Sequence, residues 1–229
     1  CPRVMEHKPR VVAIIQARMS SSRLPGKVLV DIAGRPMLWH VVNRLRAART
    51  VDEVVVATST ESADDAIVAF CRQKNVACFR GSEADVLDRF YQAATHHGAG
   101  VIVRITADCP LIDPHIVDKV VQAYLEQPCD YAANIVRNSY PDGLDTEVFS
   151  FSALERAWRE AQRATEREHV TPYLSQSGRF RVCHVENDVD ASARNLRWTV
   201  DEPEDLECVR AIYSQLSNGQ AVFGMREVL

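Results

Sequence analysis

The sequence is short of three features that mark whole classes of protein. No apolar run approaches the roughly 20 residues that a membrane-spanning helix requires. The formal net charge is −4, so the basic excess expected of a nucleic-acid-binding surface is missing. The seven cysteines include neither a C-x-x-C pair nor a histidine partner at metal-binding spacing. We therefore expect reduced thiols, a cytoplasmic location, and neither a nucleic acid nor a membrane as partner.

What the sequence does have is an anion-binding pattern near its start. Residues 11–16 form an apolar, β-branched run that predicts a buried strand of a parallel sheet. The polar loop that follows contains Arg18, Arg23 and Lys27 together with three consecutive serines. Ligands bind at the carboxyl ends of the strands in an open α/β sheet, so these cations should converge on one crevice. Their charge would match a triphosphate, although a simply solvated basic loop is the alternative.

Two common phosphate-binding loops do not fit this stretch. A Walker loop needs a glycine five residues before its Gly-Lys pair and a serine or threonine after the lysine. This chain has Ser21 and Val28 at those places. The G-x-G-x-x-G fingerprint of dinucleotide-binding folds is also absent after the strand. Any phosphate site here must therefore be of another kind.

Three segments carry a family resemblance. They are residues 17–27 (A-R-M-S-S-S-R-L-P-G-K), 103–113 (V-R-I-T-A-D-C-P-L-I-D) and 196–206 (L-R-W-T-V-D-E-P-E-D-L). Together they resemble the CMP-sugar-acid synthetases, the cytidylyltransferases that activate 3-deoxy-manno-octulosonate and acylneuraminates. The similarity is greatest to the spore-coat polysaccharide branch. The segments follow the family's order over nearly the whole chain.

The resemblance implies a fold and a reaction. The fold would be a three-layer α/β/α, Rossmann-like nucleotidyltransferase with a mostly parallel mixed sheet. It would occupy residues 9–217, between a flexible lead-in at 1–8 and a C-terminal tail or partial extra helix at 218–229. The partners would be CTP and an acidic small-molecule acceptor, with Mg²⁺ as cofactor and a possible homodimer. Transfer of CMP to the acceptor, with release of pyrophosphate, would serve surface polysaccharide or glycoconjugate biosynthesis.

Hydrophobic periodicity and turn residues predict the other elements. Further strands are expected at 53–58, 76–79, 101–106, 130–134, 144–149, 180–186 and 196–200. Helices are expected from Pro36 as a first helical residue, at 64–73, at about 85–97 with Ser82 as N-cap, behind Asp113 and Pro114, at 151–161, and from Pro203.

Two aspartates stand at the ends of predicted strands. Asp108 follows the central strand and Asp201 follows the last one. Since the carboxyl ends of parallel strands meet at one edge of a sheet, the two side chains can converge on one metal ion. Mg²⁺ takes one or two carboxylates together with phosphate oxygens. The alternative is that Asp108 is a cap or turn residue and Asp201 a helix cap.

By the resemblance, the nucleotide site takes in the first loop and several strand ends. Arg18 and Lys27 would join Asp108 and Asp201 as the catalytic residues. Thr106 stands where relatives often carry a base-reading glutamine, which leaves cytosine selectivity open. The nucleotide-binding set is Gln16, Ala17, Arg18, Ser20, Arg23, Lys27, Ala57, Thr58, Arg80 and Thr106. For Ala57 and Thr58, a plain strand end with a helix cap is an equal alternative.

Two further segments resemble the family's acceptor side. In residues 140–148, Asp142, Asp145 and Glu147 could bind acceptor hydroxyls or an ammonium group, or be turn carboxylates. In residues 166–173, Arg167 and His169 are candidates for the acceptor's acidic group, although a lone histidine on a helix more often packs or caps. No residue is assigned as general base.

Three other functions stay open at this point. A nucleotidyltransferase of the same fold could use another nucleotide or a non-sugar phosphorylated acceptor. A glycosyltransferase would normally carry an Asp-x-Asp metal motif, and Asp108 is followed by Cys109 and Pro110 instead. A non-catalytic nucleotide-binding protein would not need the set of Arg, Lys and paired Asp.

Overall fold

The computed structural model describes residues 8–135, 137, 139–188, 191–217 and 222–229. Most of the predicted lead-in and the start of the predicted tail, residues 1–7 and 218–221, lie outside the described residues. The strands are β1 Val11–Gln16, β2 Asp31–Ile32, β3 Arg35–Pro36, β4 Glu53–Ser59, β5 Ala77–Gly81, β6 Val101–Thr106, β7 Tyr131–Ala133, β8 Glu147–Ser150 and β9 Val182–His184. The α-helices are α1 Met37–Arg46, α2 Asp65–Gln73, α3 Val86–His96, α4 Pro114–Glu126, α5 Phe151–Glu160, α6 Ala164–His169, α7 Pro172–Gln176, α8 Pro203–Leu216 and α9 Met225–Val228.

Seven of these strands form one mixed sheet in the order β5-β4-β1-β6-β8-β7-β9. β1 lies between β4 and β6 and is parallel to both, and β5 is parallel to β4. β8 runs antiparallel to β6 and β7, and β9 is parallel to β7. The predicted α/β fold with a mostly parallel mixed sheet is confirmed.

The alternating side chains of β1 show why the fold has three layers. Val11, Ala13 and Ile15 belong to a core that includes residues of α1, α4 and α8. Val12 and Ile14 belong to a second core that includes residues of α3 and α5. Successive side chains of a strand point to opposite faces, so a strand buried on both faces reads as the continuous apolar run seen in the sequence.

The register of the central strands determines where the site forms. Gln16, the last residue of β1, is level with Ala57 of β4 and with Thr106 of β6. The loops that leave β1 and β6 therefore emerge side by side at one edge of the sheet. The backbone N–H of Ala107 donates to the carbonyl of Gln16 at 3.0 Å, which continues the pairing beyond the strand.

Several element predictions are wrong in detail. Pro36 is the residue before α1 rather than its first residue, and it pairs with Asp31 in the β2–β3 hairpin. α3 is capped by the carboxylate of Asp85, which accepts from the N–H of Asp88 at 2.9 Å. Ser82 instead accepts from the N–H of Asp85. Ser82 and Asp85 are both residue types that favour the N-cap position, and each accepts a hydrogen bond from the N–H three residues later. The sequence pattern alone therefore does not show which of the two caps the helix.

The expected strand at 196–200 is also wrong. This segment makes one isolated bridge, between Asp142 and Arg197, and no strand of the sheet. Backbone hydrogen bonds from Trp198 to Asp142 and from Val200 to Asp108 hold it between two loops. An apolar alternation predicts burial, which Trp198 and Val200 show, but does not ensure a neighbouring strand with which to pair.

The end of the chain packs onto the domain. Phe223 and Met225 are buried in the core that includes α1, α4 and α8. The guanidinium of Arg44 donates to the carbonyls of Phe223 and Ile112, and its Nε donates to the hydroxyl of Tyr213. These contacts join α1, α8 and the C-terminal segment to the loop after β6. Within the described residues, no helix combines the length and apolarity needed to cross a membrane.

Candidate active site

Two sets of hydrogen bonds fix the shape of the loop after β1. One lies within its own backbone, and the other involves the carboxylate of Asp64, the residue before α2. Gly26 has φ +72°, a conformation that suits glycine, and its N–H donates to the carbonyl of Met19 at 3.0 Å. The N–H of Met19 donates to Asp64 at 2.7 Å. The other oxygen of Asp64 accepts from the hydroxyls of Thr58 and Ser59. Asp64 thus fastens the loop to the end of β4.

The same loop closes one side of a polar cavity of about 220 Å³. We call it the Lys27 cavity. Its walls come from three parts of the chain that are far apart in sequence, namely the end of β1 with the loop after it, the end of β6 with the residues after it, and the segment before α8. The lining residues are Gln16, Arg18, Ser20, Ser21, Ser22, Arg23, Lys27, Val28, Thr106, Ala107, Asp108 and Asp201. The structure therefore brings together all four predicted catalytic residues and four others of the predicted nucleotide-binding set.

Lys27 connects the two aspartates. Its Nζ lies 2.9 Å from Asp108 Oδ2 and 2.8 Å from Asp201 Oδ1, and it also donates to the carbonyl of Val200 at 2.8 Å. The side chain of Lys27 is 10% exposed. The predicted convergence of Asp108 and Asp201 is thus seen in the structure, with an ammonium group between them.

The opposite charges that meet in this cavity shift the pKa values of Lys27 and Asp201. Burial disfavours the charged ammonium, but the two carboxylates outweigh that effect, and the pKa of Lys27 is raised. Burial likewise opposes the charge on Asp201, but the hydrogen bond from Lys27 and the nearby charges of Lys27, Arg23 and Arg197 hold the pKa of Asp201 below its ordinary value. Both groups are therefore charged at neutral pH.

Asp201 is free to face the cavity because another residue caps α8. The carboxylate of Asp205 accepts from the backbone N–H groups of both Asp201 and Glu202 at 2.9 Å. Arg197 donates to Asp201 at 2.8 Å and to Asp205 at 3.2 Å. Glu202, not Asp201, is the N-cap residue. The supporting roles of Arg197 and Asp205 were not predicted from the sequence. The only signal was that each charge lies four residues from Asp201, one before it and one after it.

The three cations of the first loop differ in their surroundings. Arg23 lies 3.2 Å from Asp201 and 3.4 Å from Glu202. Arg18 is exposed, and no hydrogen bond or ion pair engages it within the part of the chain that the structure describes. Arg18 is therefore the cation of this loop that is available to an incoming anion without breaking an existing contact.

Four members of the predicted nucleotide-binding set lie outside the cavity lining. Ala17, Ala57 and Thr58 are buried, and Thr58 is bonded to Asp64. Arg80 donates to the carbonyls of Ser59 and Glu61 and to the carboxylate of Asp65. Their positions at the ends of β1, β4 and β5 place them at the same edge of the sheet as the cavity. Their role in binding stays a prediction.

A second recess, of about 220 Å³, is lined by Asn134, Ile135, Tyr140, Asp142, Asp145 and Arg194. We call it the Asp145 recess. Asp145 is half-buried, and the described residues offer its carboxylate neither a hydrogen bond nor an ion pair. Burial, together with the charges of Asp142 and Glu147, raises the pKa of Asp145 to about 7, against a small opposing effect of Arg104. Asn134 and Arg194 were not predicted from the sequence, whereas Tyr140 belongs to the segment 140–148 that resembles the family's acceptor side.

Backbone contacts join this recess to the Lys27 cavity. Gly143 has φ +106°, and a Cβ there would lie 2.5 Å from the backbone nitrogen of Thr199. The hydroxyl of Thr199 and the N–H of Val200 both donate to the carbonyl of Asp108. The close approach of Gly143 therefore brings Asp142 and Asp145 up against the segment that carries Asp201.

The other predicted acceptor residues are engaged elsewhere. Glu147 is buried and pairs with Arg104 and with the hydroxyl of Tyr131 at 2.6 Å. Arg104 also donates to Gln16 at 3.1 Å, so this network reaches the wall of the Lys27 cavity.

Arg167 and His169 lie on α6. Arg167 binds the carboxylate of Asp85 and the carbonyl of Trp158, while the side chain of His169 is exposed. Neither lines either cavity.

The donor set of the Lys27 cavity fits a divalent cation. Two carboxylates already converge on the ammonium group of Lys27, and Mg²⁺ is commonly held by one or two carboxylates in this way. Among the residues that the structure describes, no cluster of three or more His, Cys, Asp or Glu suits a metal ion. Asp108 and Asp201 would thus hold a metal with help from ligand oxygens, as is usual for Mg²⁺ with phosphates.

The fold and this site together define a class of protein. A solved structure of a cytidylyltransferase from Leptospira borgpetersenii superposes with a TM-score of 0.89 at 31% identity, covering 96% of this chain and 92% of that one. The architecture is therefore that of the Rossmann-like nucleotidyltransferases.

The family follows from the sequence match. Residues 12–221 match the family model described as cytidylyltransferase, and the chain belongs to that family. It is 36% identical to the spore coat polysaccharide biosynthesis protein SpsF of Bacillus subtilis over 211 residues, 90% of this chain and 87% of that one. It is 41% identical to a 3-deoxy-manno-octulosonate cytidylyltransferase of Geobacter sulfurreducens over 118 residues, 52% of this chain and 46% of that one. The resemblance noted from the three sequence segments is confirmed.

Proposed function

We propose that the protein transfers CMP from CTP to a sugar acid or a related acidic acceptor, releases pyrophosphate, and acts in the cytoplasm in the synthesis of surface polysaccharide. The observation that carries this proposal is the joining of Arg18, Arg23 and Lys27 with Asp108 and Asp201 in one cavity. Membership of the cytidylyltransferase family and the similarity to a spore coat polysaccharide protein support it.

Each part of the cavity has a role in this reaction. Arg18, Arg23 and the serines of the loop would hold the β- and γ-phosphates and so neutralise charge on the leaving pyrophosphate. Phosphoryl transfer depends mainly on position and charge, so a cavity that fixes the triphosphate supplies much of the catalysis. Asp108 and Asp201 would hold Mg²⁺, which, when bound, polarises a phosphoryl oxygen and lowers the pKa of an attacking hydroxyl.

The acceptor would lie in the Asp145 recess beside the cavity. Asp142 and Asp145 can accept hydrogen bonds from hydroxyl or ammonium groups, and Arg194 offers a cation for a carboxylate or a phosphate. Arg167 and His169 line neither site, so we expect them to contribute less to acceptor binding than the recess residues do. A homodimer is a further expectation that the resemblance supplies.

Pyrophosphate release tests the proposal. Each of the four nucleoside triphosphates is combined with Mg²⁺ and a panel of sugar acids and small phosphorylated or carboxylated acceptors. We expect release with CTP and one acceptor class, and a fall of about 10³-fold in turnover for Asp108→Asn. Asp188→Asn, at an exposed carboxylate paired with Lys119, is the control and should keep full activity.

The panel also distinguishes the alternatives. Release with a different nucleotide would overturn the assignment of CTP and would agree with a threonine, Thr106, in place of a base-reading glutamine. Release only with phosphorylated non-sugar acceptors would overturn the sugar-acid assignment. Binding of CTP without release from any acceptor would favour a non-catalytic protein.

A further inference from the structure

Lys27 uses all of its hydrogen-bonding capacity on the two aspartates and the carbonyl of Val200. An ammonium group has three N–H donors, and Lys27 has three oxygen partners at 2.8–2.9 Å. None of these partners belongs to the loop that would bind phosphates. In this arrangement Lys27 cannot also donate to a triphosphate, so at least one of its bonds to Asp108, Asp201 or Val200 must break when a phosphate takes it as a partner.

The position of Lys27 is also the position in which a metal would be held. Its Nζ is bonded to one oxygen of each aspartate, so it lies where a cation bound by both would lie. Two cations cannot share that place, because like charges at such a distance repel strongly in a partly buried site. The charged groups around it are Arg23, Arg197, Glu202, Asp205 and Asp142, and the two arginines already bind Asp201. A metal would therefore have to displace the ammonium group.

A triphosphate supplies the partner that releases Lys27. The cavity that contains Lys27 is lined by Arg18 and three serines, so phosphate oxygens in it would lie beside the ammonium group. Lys27 could then exchange carboxylate oxygens for phosphate oxygens without losing its ionic contacts. Each aspartate would exchange an ammonium partner for a divalent one.

We propose that Lys27 is the resting counter-ion of the Asp108–Asp201 pair and keeps divalent cations out of the site until a nucleoside triphosphate draws its ammonium group away. This inference rests on the proposed nucleotide and metal binding in the Lys27 cavity. It makes the binding of nucleotide and metal mutually dependent, since a coupling between two ligands acts equally in both directions.

The test measures Mn²⁺ binding to the full chain by electron paramagnetic resonance, at pH 7.5 and without an acceptor. For the wild type without CTP, we expect weak Mn²⁺ binding. With CTP, we expect the complex of protein and CTP to bind Mn²⁺ more tightly than free CTP does. Lys27→Met keeps the length of the side chain and removes its charge. This variant should bind Mn²⁺ without CTP at least about tenfold more tightly than the wild type, within the usual range of coupling between sites.

Matched controls make the result specific. Lys119 also donates to three oxygens, those of Tyr140, Glu186 and Asp188, but it lies outside the cavity, so Lys119→Met should leave Mn²⁺ affinity unchanged. The double variant Lys27→Met with Asp108→Asn should lose the gain. Circular dichroism and thermal unfolding confirm that each variant is folded.

Two outcomes would overturn the inference. One is tight Mn²⁺ binding to the wild type without nucleotide, which requires no variant to observe. The other is a folded Lys27→Met protein that binds Mn²⁺ no better than the wild type. Because neither measurement needs turnover, an enzyme that fails every acceptor in the pyrophosphate panel can still support or overturn the role of Lys27.

Discussion

The Lys27 cavity and the Asp145 recess lie side by side, and they shift the pKa values of Asp201 and Asp145 in opposite directions. In the cavity, Asp108 and Asp201 share an ammonium group, and Asp201 is also bound by Arg23 and Arg197. In the recess, Asp145 has no such partner among the described residues, and its pKa is raised to about 7. Neighbouring cations hold the pKa of Asp201 below its ordinary value, whereas burial and nearby carboxylates favour the protonated form of Asp145.

This difference suggests different tasks for the two sites. A cavity whose positive and negative charges are already arranged needs little reorganisation when charge develops on a phosphoryl group. A carboxyl group that gains and loses a proton near neutral pH can instead respond to the acceptor's own donors.

The largest effect is expected at the contact between the two sites. In Gly143→Ala, the new methyl group would meet the backbone of Trp198 and Thr199 at a positive φ, so the variant should lose about 4 kcal/mol of unfolding free energy. Gly178 also has a positive φ, of +72°, but open space around its Cα, so Gly178→Ala should cost only about 1 kcal/mol. Urea denaturation compares the two. Equal losses would show that the close approach at Gly143 is not what makes alanine costly there.

The next prediction concerns the proton on Asp145. Its pKa is raised from 3.8 to about 7 in the folded protein, so between these values the folded state holds a proton that the unfolded state has released. Wild-type stability should therefore fall as pH rises from about 4 to 7 and then level off. Asp145→Asn removes this loss. The stability of the variant relative to the wild type should therefore increase by about 3 to 4 kcal/mol between pH 4 and pH 8.

Thermal unfolding across this pH range measures the effect. Asp188→Asn provides a control of the opposite sign, because the hydrogen bond from Lys119 lowers the pKa of Asp188. A wild-type stability curve that Asp145→Asn leaves unchanged in shape would mean that Asp145 is ionised throughout, and the contrast between the two sites would disappear.

The smallest effect is expected at Arg18. Since Arg18 is exposed and engaged by no ion pair in the described chain, Arg18→Gln should not change stability. It should weaken CTP binding about tenfold, as expected for one charge-assisted contact to phosphate, and the loss should shrink at high salt. Calorimetric titration checks this, with Arg72→Gln on the exposed side of α2 as control. Unchanged affinity would exclude Arg18 from phosphate binding.

The Lys27 cavity could be predicted from the sequence because its parts are encoded locally. An apolar run gives β1, cations follow within eleven residues, and Asp108 and Asp201 each end an apolar stretch. Parallel topology places the end of β6 beside the first loop. It does not place Asp201, because residues 196–200 form no strand of the sheet. What the sequence did not reveal is that Lys27 would bind both aspartates, because that depends on a tertiary contact across 174 positions.

The Asp145 recess was predicted less well for a physical reason. Its carboxylates were identified, but their partners depend on where irregular segments lie. Residues 196–200 look like a strand and are instead held by hydrogen bonds to Asp142 and Asp108, two to each. Glu147 belongs to an alternating pattern that does not show which face of the strand is buried. It is buried in the structure, where Arg104 and Tyr131 bind its carboxylate. Arg194 carried no signal beyond its charge.

The bonds of Lys27 also impose an order in time. During synthesis the lysine and its loop leave the ribosome before either aspartate. Asp108 follows after about 80 residues, and Asp201 follows only when α8 is about to be made. A nascent chain therefore has a basic loop well before it has the carboxylates that neutralise it. Over that interval Lys27 lacks both of the carboxylates that hold its ammonium group in the folded protein, and the loop is complete before its final partners exist.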